Sequence, residues 1–560
     1  MKVYEAIAAA VAAEEGGPLF GLMGDGNLAF WGAYSRLGGT TIYSARNEAG
    51  AVAMADGYFR ATGDIGVCTV TCGPGLTQTG TSLIAAQRNR SSIVVLTGEV
   101  SAGAKNKLQT MDQRRFAEAC GARVHSITSS GNAAEEIAEA FYAARFHRCP
   151  VVLNMPINIQ EQSFDWPFEY RPSRRFSQRP RPPANAADLS VIADMLARAE
   201  RPVIVAGRGA KLAGARDEIL RLAAASGALV ATSLKAKGLF MDEPFDLGVV
   251  GAFSSRPTER LMADADFVLG IGAELGYFTS EGGLLFPSAE VARIDIAPMP
   301  EEIGVAPGFY ACADALEASV LLNRIMAERL PGGRVGYRTA EAAEILEEPT
   351  QPFAKPQDGL DQRALMRHLS EVVPADAVVT CGVGHYWHFV AMYLVLSDGA
   401  EMHFSNQFGA VGQTLPIAFG VGAASRGRPH IVIEGDGSLM MNLQELETVV
   451  REGQSMVLIV MNDSGYGAEV HKLAAIGHDP ALAQWRSPDF VALARAFGGG
   501  GVRLNREEDL LGAVREGLRR GGLYLIDAPI SPSTLSDPFS KLHAGAENNA
   551  PLLRRAKKGA

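Results

Sequence analysis

The chain has 560 residues, 47% hydrophobic and 20% charged, enough to bury several cores and, by length alone, to form three or four domains. Its formal net charge of −10 argues against nucleic acid or an anionic membrane surface as a main partner, though not against a local basic patch. Six cysteines (Cys68, Cys72, Cys120, Cys149, Cys312 and Cys381) stand without Cys-x-x-Cys spacing and no run reaches the length of a membrane span, so a reduced, cytoplasmic protein is expected.

From the amino terminus, Met1 to Glu14 is Ala-rich and carries Glu5 and Glu14, which predicts a helix without the basic start of a signal peptide. Glu48 stands as a helix-start carboxylate, favoured there by the helix dipole. Phe168 to Pro183 and Glu347 to Gln357 are polar, proline-bearing and without apolar period, and they divide the chain into domains of residues 1–170, 185–345 and 360–560. The middle domain opens on a strand, Pro202 to Ala206, that runs into Gly207-Arg208-Gly209-Ala210, and later shows Phe267 to Gly272 and Val291 to Ile296. These are Rossmann-like strand-turn signals, but Gly-Arg-Gly is not a complete phosphate fingerprint. In the last domain His430 to Glu434 reads as a buried strand. Leu439, Leu443, Leu446 and Val450 share one face of a helix predicted from Leu439 to Val450, and Met456 to Met461 reads as the next strand.

That strand–helix–strand unit frames two turns, Gly435-Asp436-Gly437 and Asn462-Asp463-Ser464-Gly465. A right-handed crossover between parallel strands brings both to the carboxyl edge of one sheet, where open α/β sheets bind ligands. Two carboxylates beside Gly turns suit a hard octahedral cation that clamps a diphosphate. Gly-Asp-Gly, helix, strand and Asn-rich turn together resemble the signature of thiamine-diphosphate enzymes of the acetolactate synthase, pyruvate decarboxylase and benzoylformate decarboxylase kind. The resemblance implies Mg2+ held by Asp436, Asp463 and the Gly465 carbonyl, with Gly435, Gly437 and Ser438 on the cofactor. Asp463 departs from the Asn usual in that family and adds a negative charge near the diphosphate.

Phe20 to Asn27 (FGLMGDGN), which contains Asp25, and Ser44 to Tyr58 (SARNEAGAVAMADGY) resemble the amino-terminal half of the same family. The resemblance places Glu48 as the acid that activates the cofactor through its pyrimidine ring nitrogen. Thr71 to Gln78 (TCGPGLTQ), with Gly73 and Gly75, resembles the loop beneath the thiazolium, with Gln78 for the usual Asn. Gln109 falls in a stretch whose Gln faces substrate in the synthases. Phe408 to Gly412 resembles the segment that bends the cofactor, with Val411 as the apolar wedge and Gly409 accepting through its carbonyl, Gly being useful where backbone must come close. Glu469 occupies the place where simple decarboxylases carry a proton-handling acid. A solvated helix carboxylate is the alternative for Glu469, and His385, His388 and His471 are further candidate donors. The His-His pair of the decarboxylase branch is absent.

The expected fold is α/β, with three domains that are each an open parallel sheet with helices on both faces. The resemblance implies that the first and third are related folds for the pyrimidine and diphosphate ends, and the central one reads as Rossmann-like. Flavin-associated stretches are not recognisable after Lys237-Gly238 or Gly272, so a purely structural middle domain is expected over an FAD site. The expected activity is thiamine-diphosphate-dependent cleavage of a 2-oxo acid with protonation or transfer of the acyl unit. Alternatives are an acyloin lyase or carboligase, a cyclic diketone hydrolase without decarboxylation, a catalytically silent thiamine-diphosphate-binding protein, and a flavin or nicotinamide oxidoreductase resting on the middle domain. Retention of Glu48 argues against the silent protein. The family implies a homodimer or homotetramer with shared sites, acting on a small 2-oxo acid or acyloin.

Overall fold

The structure, a computed structural model, describes residues 1–539 apart from 102, 106–107, 165–166, 177–180, 299–304, 349–352 and 398. Three six-stranded sheets follow one another along the chain, and every strand pairing in them is parallel. The first sheet contains β1 (Leu19–Gly21), β2 (Ile42–Ser44), β3 (Gly66–Val70), β4 (Ile93–Glu99), β5 (Arg123–Ser126) and β6 (Pro150–Pro156), in the order β2-β1-β3-β4-β6-β5. The middle sheet contains β7 (Pro202–Ala206), β8 (Leu229–Thr232), β9 (Asp246–Val249), β10 (Phe267–Ile271), β11 (Glu290–Asp295) and β12 (Phe309–Cys312), in the order β12-β11-β10-β7-β8-β9. The third contains β13 (Val378–Cys381), β14 (Glu401–Phe404), β15 (His430–Gly435), β16 (Met456–Asn462), β17 (Gly500–Arg503) and β18 (Leu523–Pro529), in the order β14-β13-β15-β16-β18-β17. The first and third sheets therefore share one topology, and the middle sheet has the doubly wound order of dinucleotide-binding folds.

The strands are continuous apolar runs because both faces are covered. Alternate residues of β15 and β16 go to opposite faces: Ile431, Ile433, Val457 and Ile459 to one core, Val432, Leu458 and Val460 to another. The second of these cores also takes Phe20, Cys68, Val95 and Val152 from the first domain, so the first and third domains share one hydrophobic interior. Two helices, Glu48–Thr62 and Thr414–Ala424, carry the join. They cross at backbone contact: a Cβ on Gly57 would lie 2.0 Å from the Ile417 carbonyl oxygen, and one on Gly420 would lie 1.9 Å from that of Met54.

One detail differs from the sequence reading. The helix expected from Leu439 to Val450 is two helices, Asp436–Met441 and Glu445–Arg451. Asn442 leaves the helical conformation, and its side-chain amide donates to the Gly412 carbonyl, so a tertiary contact overrides the local period. In the middle domain the Gly207 and Gly209 amides donate to the Ile271 and Gly272 carbonyls, each at 3.0 Å. The two N–H groups that a dinucleotide turn would offer to phosphate are thus engaged by the neighbouring loop. The proline-bearing stretches lie partly outside the described residues, at 177–180 and 349–352.

Candidate active site

The residues singled out in the first domain converge at the carboxyl ends of four adjacent strands. The turn after β1, which contains Asp25, is pinned on the loop after β3: Gly26 N–H donates to Thr71 Oγ1 at 3.1 Å, and a Cβ on Gly24 would lie 2.7 Å from Thr71 Cβ. Glu48 opens its helix after β2, capped by Asn47, whose side chain accepts from Ala49 N–H at 2.8 Å. Glu48 reaches over the Gly73-Pro74-Gly75 loop, so that a Cβ on Gly75 would lie 3.5 Å from its Oε1. Gln109, beyond β4, closes the group. Its Oε1 accepts from the Cys72 thiol at 3.0 Å, and a Cβ on Gly73 would lie 2.5 Å from its carbonyl oxygen.

The third domain assembles a second group in the same way. Asp436 begins the helix after β15 and accepts from the Ser487 hydroxyl at 2.9 Å. Asp463 follows β16, and the two carboxyl groups face each other. Burial pushes both above the ordinary aspartate range, and the charge of Asp436 pushes Asp463 further. Among the described residues neither is in an ion pair, so a buried acid and a half-buried one meet without a cationic side chain paired to either. The two turns are tightly built. Ser464 adopts φ +55°, and its N–H donates to Asn462 Oδ1 at 3.2 Å. A Cβ on Gly437 would lie 2.8 Å from Tyr466, one on Gly435 2.7 Å from Tyr386, and one on Gly465 2.8 Å from the Ala483 carbonyl oxygen. Two facing carboxylates are hard oxygen donors of the kind that Mg2+ takes.

Three families match the chain in order: the N-terminal thiamine pyrophosphate binding domain of thiamine pyrophosphate enzymes over residues 1–118, their central domain over 189–317, and their C-terminal thiamine pyrophosphate binding domain over 382–528. The chain belongs to the thiamine-diphosphate enzyme superfamily. It is 28% identical over 523 residues to the acetolactate synthase isozyme 2 large subunit of Escherichia coli K12, covering 92% of this chain and 93% of that one. It is likewise 28% identical over 556 residues to a probable acetolactate synthase large subunit of Methanocaldococcus jannaschii, covering 95% and 92%. Over 509 residues it is 28% identical to a probable chloroplastic acetolactate synthase 2 of Oryza sativa subsp. japonica, covering 87% and 76%.

In this thiamine-diphosphate enzyme the segment between β14 and the Thr414–Ala424 helix carries Gly409 and Val411. Gly409 has φ +63° and a Cβ there would meet nothing within 4 Å, so within one chain its glycine serves backbone conformation rather than close approach. Ser438 accepts from Gly412 N–H at 2.7 Å and so holds that segment to the Asp436 turn. Glu469 is on the outer side of the Gly467–Ala475 helix, 53% exposed, with Lys472 Nζ at 3.3 Å. His385 is packed against His471, ring centroids 4.4 Å apart, and its Nε2 accepts from Ser536 N–H at 3.2 Å. Burial pushes the His385 imidazole down to about 2, so it is neutral at physiological pH and does not serve as a charged proton donor.

Several residues of the site carried no motif. Gln113, 3% exposed, accepts from Gly73 N–H at 2.9 Å and donates to the Gly98 carbonyl and Asn154, which fixes the loop under Glu48. Glu445 accepts from Arg46 N–H at 3.0 Å and anchors the turn that leads to Glu48. Glu434 is fully buried directly before Gly435-Asp436. Burial pushes its carboxyl up to about 7, against the pull of Ser438 and Thr414 beside it. An acid inside the run HIVIE was the visible signal for Glu434. The others depend on contacts between distant segments.

Proposed function

We propose that this chain is a thiamine-diphosphate- and Mg2+-dependent enzyme of acetolactate-synthase-like type that cleaves a 2-oxo acid and transfers the acyl unit to a second carbonyl. The observation that carries the reading is the pairing of Glu48, over its Gly73–Gly75 loop, with the two facing acids of the third domain. When bound, thiamine diphosphate supplies a thiazolium that serves as electron sink for carbon–carbon cleavage. Glu48 holds a proton at the pyrimidine ring nitrogen. Asp436, Asp463 and the Gly465 carbonyl would hold the metal and, through it, the diphosphate, and Val411 would pack against the cofactor as its apolar wedge. Gln109 is the polar contact that orients the substrate carboxylate or carbonyl. Glu469, on the helix that follows the Asp463 turn, is the proton source for the simple decarboxylation branch.

A shared site between two chains follows. Among the described residues no hydrogen bond or ion pair joins Glu48, Gly73, Gly75 or Gln109 to Gly409, Val411, Asp436 or Asp463 of the same chain. Both groups are rimmed by exposed apolar side chains: Met23 and Leu28 on one, Phe408, Val411, Met440 and Met441 on the other. Such rims favour cover by another surface. In a homodimer, or a dimer of dimers, the first domain of one chain would meet the third domain of its partner. The functional domains are taken as residues 1–170, 185–345 and 360–560, with the cytoplasm as their setting. No helix among the described residues is long and apolar enough to cross a membrane.

The test is a panel of 2-oxo acids and acyloins, with thiamine diphosphate and Mg2+ added, scored for carbon dioxide and for product identity. Carbon dioxide with an acyloin or acetohydroxy acid product supports the proposal. Turnover of acyloins or cyclic diketones alone, without carbon dioxide, contradicts it.

A further inference from the structure

The Glu48–Thr62 helix carries a buried ion pair that the proposed chemistry does not use. Asp56 and Arg60 have side chains only 2% and 7% exposed, and Arg60 Nη2 donates to Asp56 Oδ2 at 2.6 Å. Asp56 is held from behind by the Ser91 hydroxyl, and the central domain's Arg208 donates to the Asn89 carbonyl at 2.8 Å beside it. A purely local pair four residues apart would turn its remaining donors to water. Arg60 instead sends Nη1 across the domain boundary, to the Phe404 carbonyl at 2.8 Å and to Gln407 Oε1 at 2.6 Å.

The receiving segment needs such support. Gln407 opens a turn in which Phe408 and Gly409 both have φ +63°. A left-handed Phe is strained and persists only where its surroundings over-determine it. The Phe408 ring does not do so, since it is 54% exposed. The segment is clamped at its two ends: Gln407 by Arg60, and Gly412 by Ser438 and Asn442. Gly409 and Val411 lie between the clamps.

We propose that Arg60 is a positioning residue for the cofactor: through Gln407 it sets the backbone from Phe408 to Val411, and thereby the Gly409 carbonyl and the Val411 wedge. This rests on the reading of Gly409 and Val411 as thiamine-diphosphate contacts. Arg60→Lys keeps the charge beside Asp56 but loses the planar fork that reaches both targets. Gln407→Ala removes the receiving amide and leaves the ion pair intact.

The experiment measures thiamine-diphosphate affinity in saturating Mg2+, together with hydrogen exchange of the cofactor-free protein, for both variants, their double variant and Asp436→Ala. Each single variant should weaken binding about tenfold, as loss of a hydrogen bond to a charged group does, and the double should be no weaker than either. Exchange across Phe408 to Val411 should quicken, while the Gly467–Ala475 helix keeps wild-type rates. Wild-type affinity and wild-type exchange in Gln407→Ala overturn the proposal, as do multiplying effects in the double variant. If Asp436→Ala also binds normally, the cofactor reading itself fails. If Asp436→Ala loses the cofactor and Gln407→Ala does not, only the positioning role falls.

Discussion

Gly57→Ala tests the crossing that joins the two cofactor-binding domains. The added methyl carbon would lie 2.0 Å from the Ile417 carbonyl oxygen, 2.9 Å from its carbon and 3.1 Å from its Cα. All three are backbone atoms, so no rotamer change relieves the clash. A carbon–oxygen contact becomes tolerable near about 3.3 Å, which requires the helices to part by roughly 1 Å. Overpacking in a closed core costs about 1–3 kcal/mol, and the rigid backbone neighbour puts this site at the upper end. The same shift moves Glu48 at the head of the helix, and a misplacement of about 1 Å can cost on the order of 100-fold in rate. Urea unfolding followed by two probes, with initial rates alongside, reads both effects, and the transition monitored is the one that involves the shared core, since a three-domain chain need not unfold in two states. Gly38→Ala is the control, because a Cβ there meets nothing within 4 Å. A Gly57→Ala protein within about 0.5 kcal/mol of wild type, with wild-type rate, would refute the backbone-contact geometry.

Other outcomes follow from the same structure. Glu48→Gln should bind cofactor nearly normally yet lose rate by orders of magnitude and slow exchange of the thiazolium C2 proton; near-wild-type exchange would remove Glu48 from its role. In the metal-free protein Asp463 is pushed above the ordinary aspartate range by burial and by Asp436, so the folded state holds a proton that the unfolded chain has released. Stability is then lost as pH rises from the ordinary aspartate value through the raised one, and Asp463→Asn should be spared roughly 1–2 kcal/mol of that loss between about pH 5 and pH 8 while still retaining Mg2+ and cofactor through its amide oxygen. Parallel stability profiles would show that the two acids do not interact. Glu469→Gln should lower aldehyde release and raise the acyloin fraction at fixed acceptor; an unchanged ratio would leave Glu469 as a surface carboxylate. Mixed Glu48→Gln and Asp436→Ala chains should regain activity on co-assembly, and proven subunit exchange without recovery would count against a shared site.

The strands were readable because each is an apolar run long enough for a sheet covered on both faces, as in Pro202–Ala206 and Met456–Asn462. The two half-sites were readable as motifs because a turn that must keep backbone close to its neighbours, as at Gly435 and Gly437, restricts which residues can stand there. The helix break at Asn442 was not readable, since it answers to the Gly412 carbonyl some thirty positions away. Nor was the relation between the first and third domains. It rests on strand order and on the matching pairs Met54 with Gly57 and Ile417 with Gly420, which acquire meaning only when the two helices meet. Gln113, Glu445 and the Arg60–Gln407 bond belong to the same class, being polar groups whose partners are distant in sequence and close in space.

The central claim is that the Asp436 and Asp463 turns bind thiamine diphosphate through Mg2+. Calorimetric titration of wild type and Asp436→Ala with thiamine diphosphate, with and without Mg2+, tests it most directly. The account predicts binding by wild type only when Mg2+ is present and none by Asp436→Ala. Equal affinity in the two proteins, or wild-type binding that is indifferent to the metal, would contradict it.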